Sequence, residues 1–425
     1  MTDAPRASVV VVSRGRPDAL VRCLRGLSQL TYRPFEVVVV ADPAGMQAVS
    51  AAPWAARARL VPFDIPNISA ARNAGIEAAA GEIVAFIDDD AVPEPTWLTA
   101  LAAPFAEPAV TVAGGPVRGR NGISWQWRAR DILATGESVP RTEPGGVEIL
   151  AGSAGRAPKT EGTNMAVRRQ TLAAAGGFDP AFRFYLDEAD LNLRLAAAGG
   201  LTAWVPAAEV HHGYLASDRR GADRTPRDLT QIGASLAAFL LRHAPRTDLA
   251  AAHASERLAQ RRRLLGHMVA GRLEPRDVAR LLAGFDAGWA DGATRTPVPR
   301  PALAGAAGPF RPFLDGPPRP PRIMAGRSVR ARAHLSRARA VAADGTPVSL
   351  FLFSPTLRYH TVRFDPAGVW IQQGGLFGRA ERSEQVWKMW RFGSRLSKEA
   401  ARVARVRGLA LSDGSEMTER QKESD

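Results

Sequence analysis

The sequence predicts an α/β fold for its first half: a mostly parallel sheet with helices on both faces. Three observations predict it. Residues 8–12, 35–40 and 83–87 are almost wholly apolar, broken only by Ser8 and Glu36, and rich in β-branched side chains, as strands buried on both faces are. Segments with helix start and stop signals alternate with them, which favours parallel pairing. Three aspartates, Asp88, Asp89 and Asp90, close the last of these runs. Ligands of open α/β sheets gather at such carboxyl ends.

The elements follow in order. After the strand at 8–12, Pro17 suits the first turn of a helix to about Gln29, where its missing N–H leaves nothing unpaired. Residues 35–40 form the second strand and 60–62 a short third. A helix is expected over 69–80, with Asn67 or Ser69 as N-cap and Gly81 just past its end. Residues 83–87 are the fourth strand. We read 1–222 as one α/β domain. From about Thr225 the pattern turns helical, at 228–243, 249–270 and 275–285, so 223–290 is a helical extension. Nine prolines from Pro297 to Pro321 make 291–322 an extended linker or a surface-hugging segment. A basic α+β region at 323–425 closes the chain. It holds an Arg-rich helix near 328–342, strands at 347–353, 359–364 and 368–372, a basic helix near 394–406 and a polar, frayed tail.

Composition bounds the class. With 425 residues, 45% hydrophobic and 23% charged, the chain is globular and long enough for two or three domains. The single Cys23 rules out an internal disulfide and fits a reducing compartment. No apolar run approaches the ~18–20 residues of a membrane span, and the opening Met1–Arg6 lacks a signal-peptide core. A cytoplasmic location is expected, with peripheral membrane contact compatible. The net charge of +14 is uneven: residues 1–215 carry 20 Lys+Arg against 22 Asp+Glu, and 216–425 carry 36 against 20. Only Lys159, Lys388, Lys398 and Lys422 are lysines. A basic half suits anionic lipid, an acidic partner or nucleic acid, against the plainer reading of a solvated surface. No nucleic-acid motif with interleaved aromatics is present, so no nucleic-acid partner is expected.

Chemistry starts from the triplet. Carboxylates that close repel and raise one another's pKa unless a positive charge lies among them. A hard divalent cation, Mg²⁺ or Mn²⁺, is the natural partner and binds through one or two carboxylates plus substrate phosphates. The competing reading is a polar turn. A second acidic cluster, Asp187, Glu188 and Asp190, opens a helix, where carboxylates are also favoured by the dipole. His211 and His212 follow an alternating segment, so only one of them faces inward, and spacing from Pro206 favours His212. There is no phosphate-loop lysine motif, no cysteine zinc spacing and no Gly-x-Ser-x-Gly turn. His243, His253 and His267 lack metal spacing and are read as structural.

Seven motifs in order resemble a GT-A glycosyltransferase of the family 2 type over roughly residues 7–215: SVVVVSRGRP; EVVVVAD; NISAARNAGIEAAAGEIVAFIDDDAVPEPTWL; EGTNMAVRR; GGFDPAF; YLDEADLNLRLAAAG; and WVPAAEVHHG. The resemblance implies an Asp-x-Asp element at Asp88 and Asp90, with Asp90 on the metal, Asp88 nearer the ribose or bridging through the metal, and Asp89 solvating the turn. It implies His212, or else His211, as a further metal ligand. It implies a general base in the pair Asp187–Glu188, aligned on Glu188 with Asp187 as the alternative, and a capping or orienting role for Asp190. Arg72 is placed to hold the nucleotide or its diphosphate through paired donors. Ser13 and Asp42, at two strand ends, are candidates for the nucleotide base and ribose, against a turn role. Asn164 in Gly162-Thr163-Asn164 is a candidate for the donor sugar, also against a turn. Trp97, Trp125 and Trp127 are acceptor-stacking candidates or core residues. Arg219 and Arg220 lie in a loop able to close over a diphosphate.

The function implied is a metal-dependent, inverting transfer of a sugar from a nucleotide-sugar donor to an acceptor hydroxyl. Saccharide or lipid-linked acceptors of surface polysaccharide or glycolipid synthesis are the expected class, and a basic half suits an anionic membrane face. The rivals are a catalytically silent nucleotide-sugar scaffold and an Arg-rich polyanion binder.

Overall fold

Strand Ala7–Ser13 lies inside an eight-stranded sheet because its valines must be covered on both sides. Val9 and Val11 point into one core with Leu20, Leu24 and Trp97. Val10 points into the other, with Ile76, Phe86, Leu191 and Leu195. This computed structural model describes residues 4–295, 300–305 and 308–410. The sheet runs Glu148–Leu150, Leu201–Trp204, Val110–Gly114, Met165–Arg168, Ile83–Asp88, Ala7–Ser13, Phe35–Ala41, Arg59–Pro62. Met165–Arg168 is antiparallel to both neighbours, and Glu148–Leu150 to its one. The other pairings are parallel. The expected α/β class and mostly parallel sheet are found.

Helices Pro17–Leu27 and Ile68–Ala78 cover opposite faces. Asn67 caps the second of these by accepting the amide of Ala70 at 3.1 Å. Gly75 lets that helix approach Val10, which a Cβ there would strike. Beyond the sheet lies a smaller one, ordered Ala91–Pro93, Val210–His212, Val117–Arg118, Trp125–Trp127. It carries the two histidines beside the aspartate triplet, with His212 opposite Ala91. These short strands, and the helix Pro43–Ser50, escaped the sequence reading because two to eight residues give no clear period.

Helices Thr230–His243, Leu249–Val269 and Pro275–Ala293 form the helical extension and share a core with the acidic helix Asp187–Ala197. Asp190 joins the two parts, bonded to Arg194, Arg242 and His243 at 2.8–3.0 Å. The proline-rich stretch hugs the domain: Phe313 is fully buried between Phe35 and Trp54. Pro297, Pro299 and the tail beyond 410 lie outside the described residues.

The last region is a four-stranded sheet, ordered Arg322–Arg327, Val348–Ser354, Val369–Gly375, Thr361–Phe364, with helices Ala331–Ala342 and Phe392–Arg407. Its first strand had been missed, because Pro320, Pro321 and Gly326 disguise it. This sheet packs on the α/β domain. Val362, Phe364 and Trp370 cluster with Val92 and Ile123. The Gln29 amide donates to the Gly368 carbonyl, and Arg407 grips Glu94.

Candidate functional site

The carboxyl end of strand Ile83–Asp88 brings Asp88, Asp90 and His212 together. One ligand atom from each lies within 4.8 Å of the others. His212 Nε2 is 3.0 Å from Asp90 and 4.0 Å from Asp88. Gln126 fixes the other ring nitrogen, Nδ1, at 2.9 Å, and Trp127 and Tyr214 pack on the imidazole. Such an outer contact orients a ligating imidazole. Two carboxylates and one imidazole suit a hard or borderline divalent cation. Asp88, with its side chain 30% exposed, opens the group to the cleft.

Asp90 is buried, which alone would raise its pKa. The hydrogen bond and charge of His212, the charge of Arg16 and the amide of Leu215 outweigh burial and hold the carboxyl well below its ordinary value. Asp89, expected to solvate the turn, is instead fully buried. It pairs with Arg16 at 2.7 Å and accepts the Ser13 hydroxyl at 2.7 Å. Burial pushes its pKa up to about 7 against the pull of Arg16. The triplet thus points two ways, Asp88 and Asp90 toward His212 and Asp89 toward Arg16 and Ser13, because successive residues leaving a strand alternate in side.

The second acidic cluster faces the first through Arg72. One guanidinium nitrogen bonds Asp187 and the other reaches Asp88 at 3.3 Å and the Gly162 carbonyl at 3.2 Å. A Cβ at Gly162 would collide with this guanidinium, so glycine is required for the approach. Tyr185 and Leu186 both take left-handed backbone conformations just before the acidic helix. Non-glycine residues rarely hold that geometry, and here it sets the helix start, with Asp187, against Arg72. Burial and the charge of Glu188 raise Asp187 to about 7 despite Arg72. Burial also works against Glu188, but Lys159, 3.3 Å away, and Arg72 lower it. Carboxylates outnumber the cations within 4 Å: Asp88, Asp89, Asp90, Asp187 and Glu188 face Arg16, Arg72 and Lys159.

Some expected residues are elsewhere. His211 turns away from the triad: its Nε2 lies 2.9 Å from Glu94 and its ring packs on Trp370. Asn164 is fully buried, accepting from Trp97 Nε1 at 2.8 Å and donating to the carbonyls of Pro116 and Ala208. With both amide ends satisfied it braces the scaffold and presents nothing to a sugar. Trp97 is core for the same reason. Asp42 caps helix Pro43–Ser50 through Gly45 and accepts from the Gly15 amide at 2.8 Å, the turn role. Trp125 lies under Arg118, while Trp127 is the one at the triad. Arg220 lies over Tyr214 and Arg219 over Phe184.

Arg16, Gln126, Tyr214 and Lys159 were missed. Only Lys159 gave a signal, as one of four lysines in an arginine-dominated chain.

Residues 5–252 match the family described as Glycosyltransferase like family 2. The chain belongs to this family. Among curated relatives, it is 27% identical over 183 residues to a pre-mycofactocin glycosyltransferase of Mycobacterium tuberculosis, covering 42% of this chain and 36% of the relative. It is 26% identical over 250 residues to the O-antigen biosynthesis protein RfbC of Myxococcus xanthus, covering 51% and 18%. The match therefore spans little more than a third of these relatives, or less. Among solved structures, it is similar to the mannosyltransferase PcManGT of Pyrobaculum calidifontis in complex with GDP-Man and Mn²⁺. That likeness has 18% identity and a TM-score of 0.41, covering 69% of this chain and 88% of the other. Family membership and sheet order, rather than this likeness, carry the GT-A fold of the family 2 domain.

Proposed function

We propose that this protein is a metal-dependent, inverting glycosyltransferase that moves a sugar from a nucleotide-sugar donor to an acceptor hydroxyl. One observation carries the reading: Arg72 bridges the Asp88–Asp90–His212 triad and the Asp187–Glu188 pair, pairing with Asp88 on one side and Asp187 on the other. Asp88, Asp90 and His212 would hold a divalent cation, Mg²⁺ or Mn²⁺. Such an ion supplies Lewis-acid stabilisation of the departing diphosphate. Arg16 and Arg72, cations at the cleft, are set to bind and orient the donor phosphates.

Glu188 takes the role of general base. Lys159 keeps it ionised, and its side chain is 16% exposed against 5% for Asp187, whose carboxylate is taken up by Arg72. The base must meet the acceptor proton, so reach comes before pKa. Asp187 positions Arg72. Inversion in a single displacement follows from the family resemblance. Saccharide or lipid-linked acceptors of surface polysaccharide or glycolipid synthesis are the proposed class, and the cytoplasmic face of a membrane the proposed place.

The test is a donor panel with Mg²⁺ or Mn²⁺, reading nucleoside diphosphate release. Glu188→Gln should lower turnover by about 10²–10⁴-fold while sparing donor binding. Donor affinity without turnover in the wild type, across a broad acceptor panel, would instead mark a silent nucleotide-sugar binder.

A further inference from the structure

The three parallel strands of the last sheet, Arg322–Arg327, Val348–Ser354 and Val369–Gly375, all end at one edge. Every chain segment leaving that edge exposes large apolar side chains. Val329 follows the first strand, Leu357 and Tyr359 the second, and Val386, Trp387 and Met389 the third, with exposures from 55% to 87%. These six are half of the twelve large hydrophobic side chains exposed among the described residues. They fall in a region of under a quarter of the chain, so they are gathered rather than scattered. The second and third segments form one surface: the Gly375 amide donates to the Arg358 carbonyl at 2.8 Å, and the Lys388 amide to the Phe377 carbonyl at 3.2 Å.

Cations surround this edge. Arg327, Arg330, Arg358, Arg382, Lys388 and Arg391 are all exposed. Of the nearby acids Glu381 and Glu384, the second is already engaged by Lys398 and Arg395. From 386 to 391 the chain reads Val, Trp, Lys, Met, Trp, Arg, and Lys388 lies over the ring of Trp390. A protein interface core is depleted in lysine. Tryptophan and apolar side chains interleaved with cations match the headgroup boundary of an anionic bilayer instead, where indole rings settle and Lys or Arg is attracted.

The opposite part of the same sheet meets the α/β domain through Gly368, Trp370 and Phe364. The strand after Tyr359, Thr361–Phe364, leads back to a crevice of about 300 Å³ lined by Val362, Arg363, Asp90 and His212. Edge and triad are thus linked by one short strand.

We propose that this edge seats on an anionic bilayer, with Trp387 and Met389 in the interface and Arg358, Lys388 and Arg391 at the headgroups. It presents the cleft to an acceptor held in that membrane, a clause that rests on the glycosyl-transfer reading. The test is co-sedimentation of the full chain with vesicles of phosphatidylcholine alone or mixed equally with phosphatidylglycerol. The mixed vesicles should bind the chain, and added salt should weaken binding. Trp387→Ser with Met389→Ser should lower partitioning by about tenfold or more, and Lys388→Glu with Arg391→Glu should remove the preference for the anionic lipid. Both double variants should keep the wild-type melting temperature and metal-dependent nucleotide release toward a soluble acceptor. That release separates failure here from failure of the transferase reading. A wild-type chain that stays in the supernatant with mixed vesicles overturns the proposal. So do a Trp387/Met389 double variant that binds as well as the wild type, and a change in these variants from dimer to monomer without vesicle binding.

Discussion

His211 and His212 are adjacent on one short strand and sit in opposite chemistries. Each meets a buried acid: His211 meets Glu94, and His212 meets Asp90 together with the half-exposed Asp88. The difference is the fixed cation. Arg407 reaches Glu94 at 2.9 Å and 3.1 Å through two nitrogens, and both side chains are almost wholly buried. Burial would raise Glu94, but Arg407 and His211 hold it well below the carboxylate range. Charge is balanced there, and the result is a rivet between the α/β domain and the last helix. On the other face the acids outnumber their cations and open toward a cleft. A buried acid matched by a permanent guanidinium is scaffold; acids short of a permanent partner are where an exchangeable cation belongs.

The sharpest way to break this contrast is to remove the scaffold cation. Arg407→Met leaves Glu94 buried without its permanent cation, with only His211 beside it, and should cost about 3–5 kcal/mol in chemical denaturation. Adding Glu94→Gln should restore part of it, and a double-mutant cycle with no coupling would deny the rivet. Next come the two histidines. His212→Ala should weaken Mn²⁺ binding by at least roughly 10–100-fold, because losing a ligand costs no less than losing an outer contact that orients one, with little change in melting temperature. His211→Ala should leave Mn²⁺ affinity intact and cost about 1–3 kcal/mol of stability, from the partner stranded in the interior. Equal effects of the two substitutions on metal affinity would erase the distinction.

The smallest effects are pH effects. Glu94 has a depressed pKa in the folded chain, so its contribution is present above the unfolded value and is lost as pH falls through the folded one. Amide exchange at Thr96 and Leu409, beside the rivet, should therefore accelerate once pH drops below about 4.5, the unfolded value. Asp187 has the opposite shift, raised to about 7, so its proton is taken up and the Arg72 pair loosened as pH falls through that value. An acid limb near pH 7 in the turnover profile should disappear in Asp187→Asn.

Much of this was legible in the sequence because strong local signals agreed with the fold. The valine runs fixed the sheet, a helix start was placed at Asn67 or Ser69, and the aspartate triplet marked a strand end as either a cation site or a polar turn. Strand alternation let only one histidine face inward and spacing from Pro206 favoured His212, which lies beside Asp88 and Asp90. What the sequence could not carry is pairing across distance. Asp89 looked solvated until Arg16 and Ser13 closed over it, and Asn164 looked like a sugar ligand until Trp97 and two carbonyls used its amide. Glu94 has no local signal at all, because its partner is 313 residues away. The edge proposed to meet a membrane was legible only as excess charge; its apolar half comes from three segments distant in sequence.

The central claim is that Asp88, Asp90 and His212 form the cation site of a nucleotide-sugar transferase. The most direct measurement is Mn²⁺ binding by electron paramagnetic resonance, with UDP or GDP present, in the wild type, Asp90→Ala and Glu94→Gln. One tight site is expected in the wild type, lost in Asp90→Ala and retained in Glu94→Gln. Unchanged Mn²⁺ binding in Asp90→Ala would contradict it.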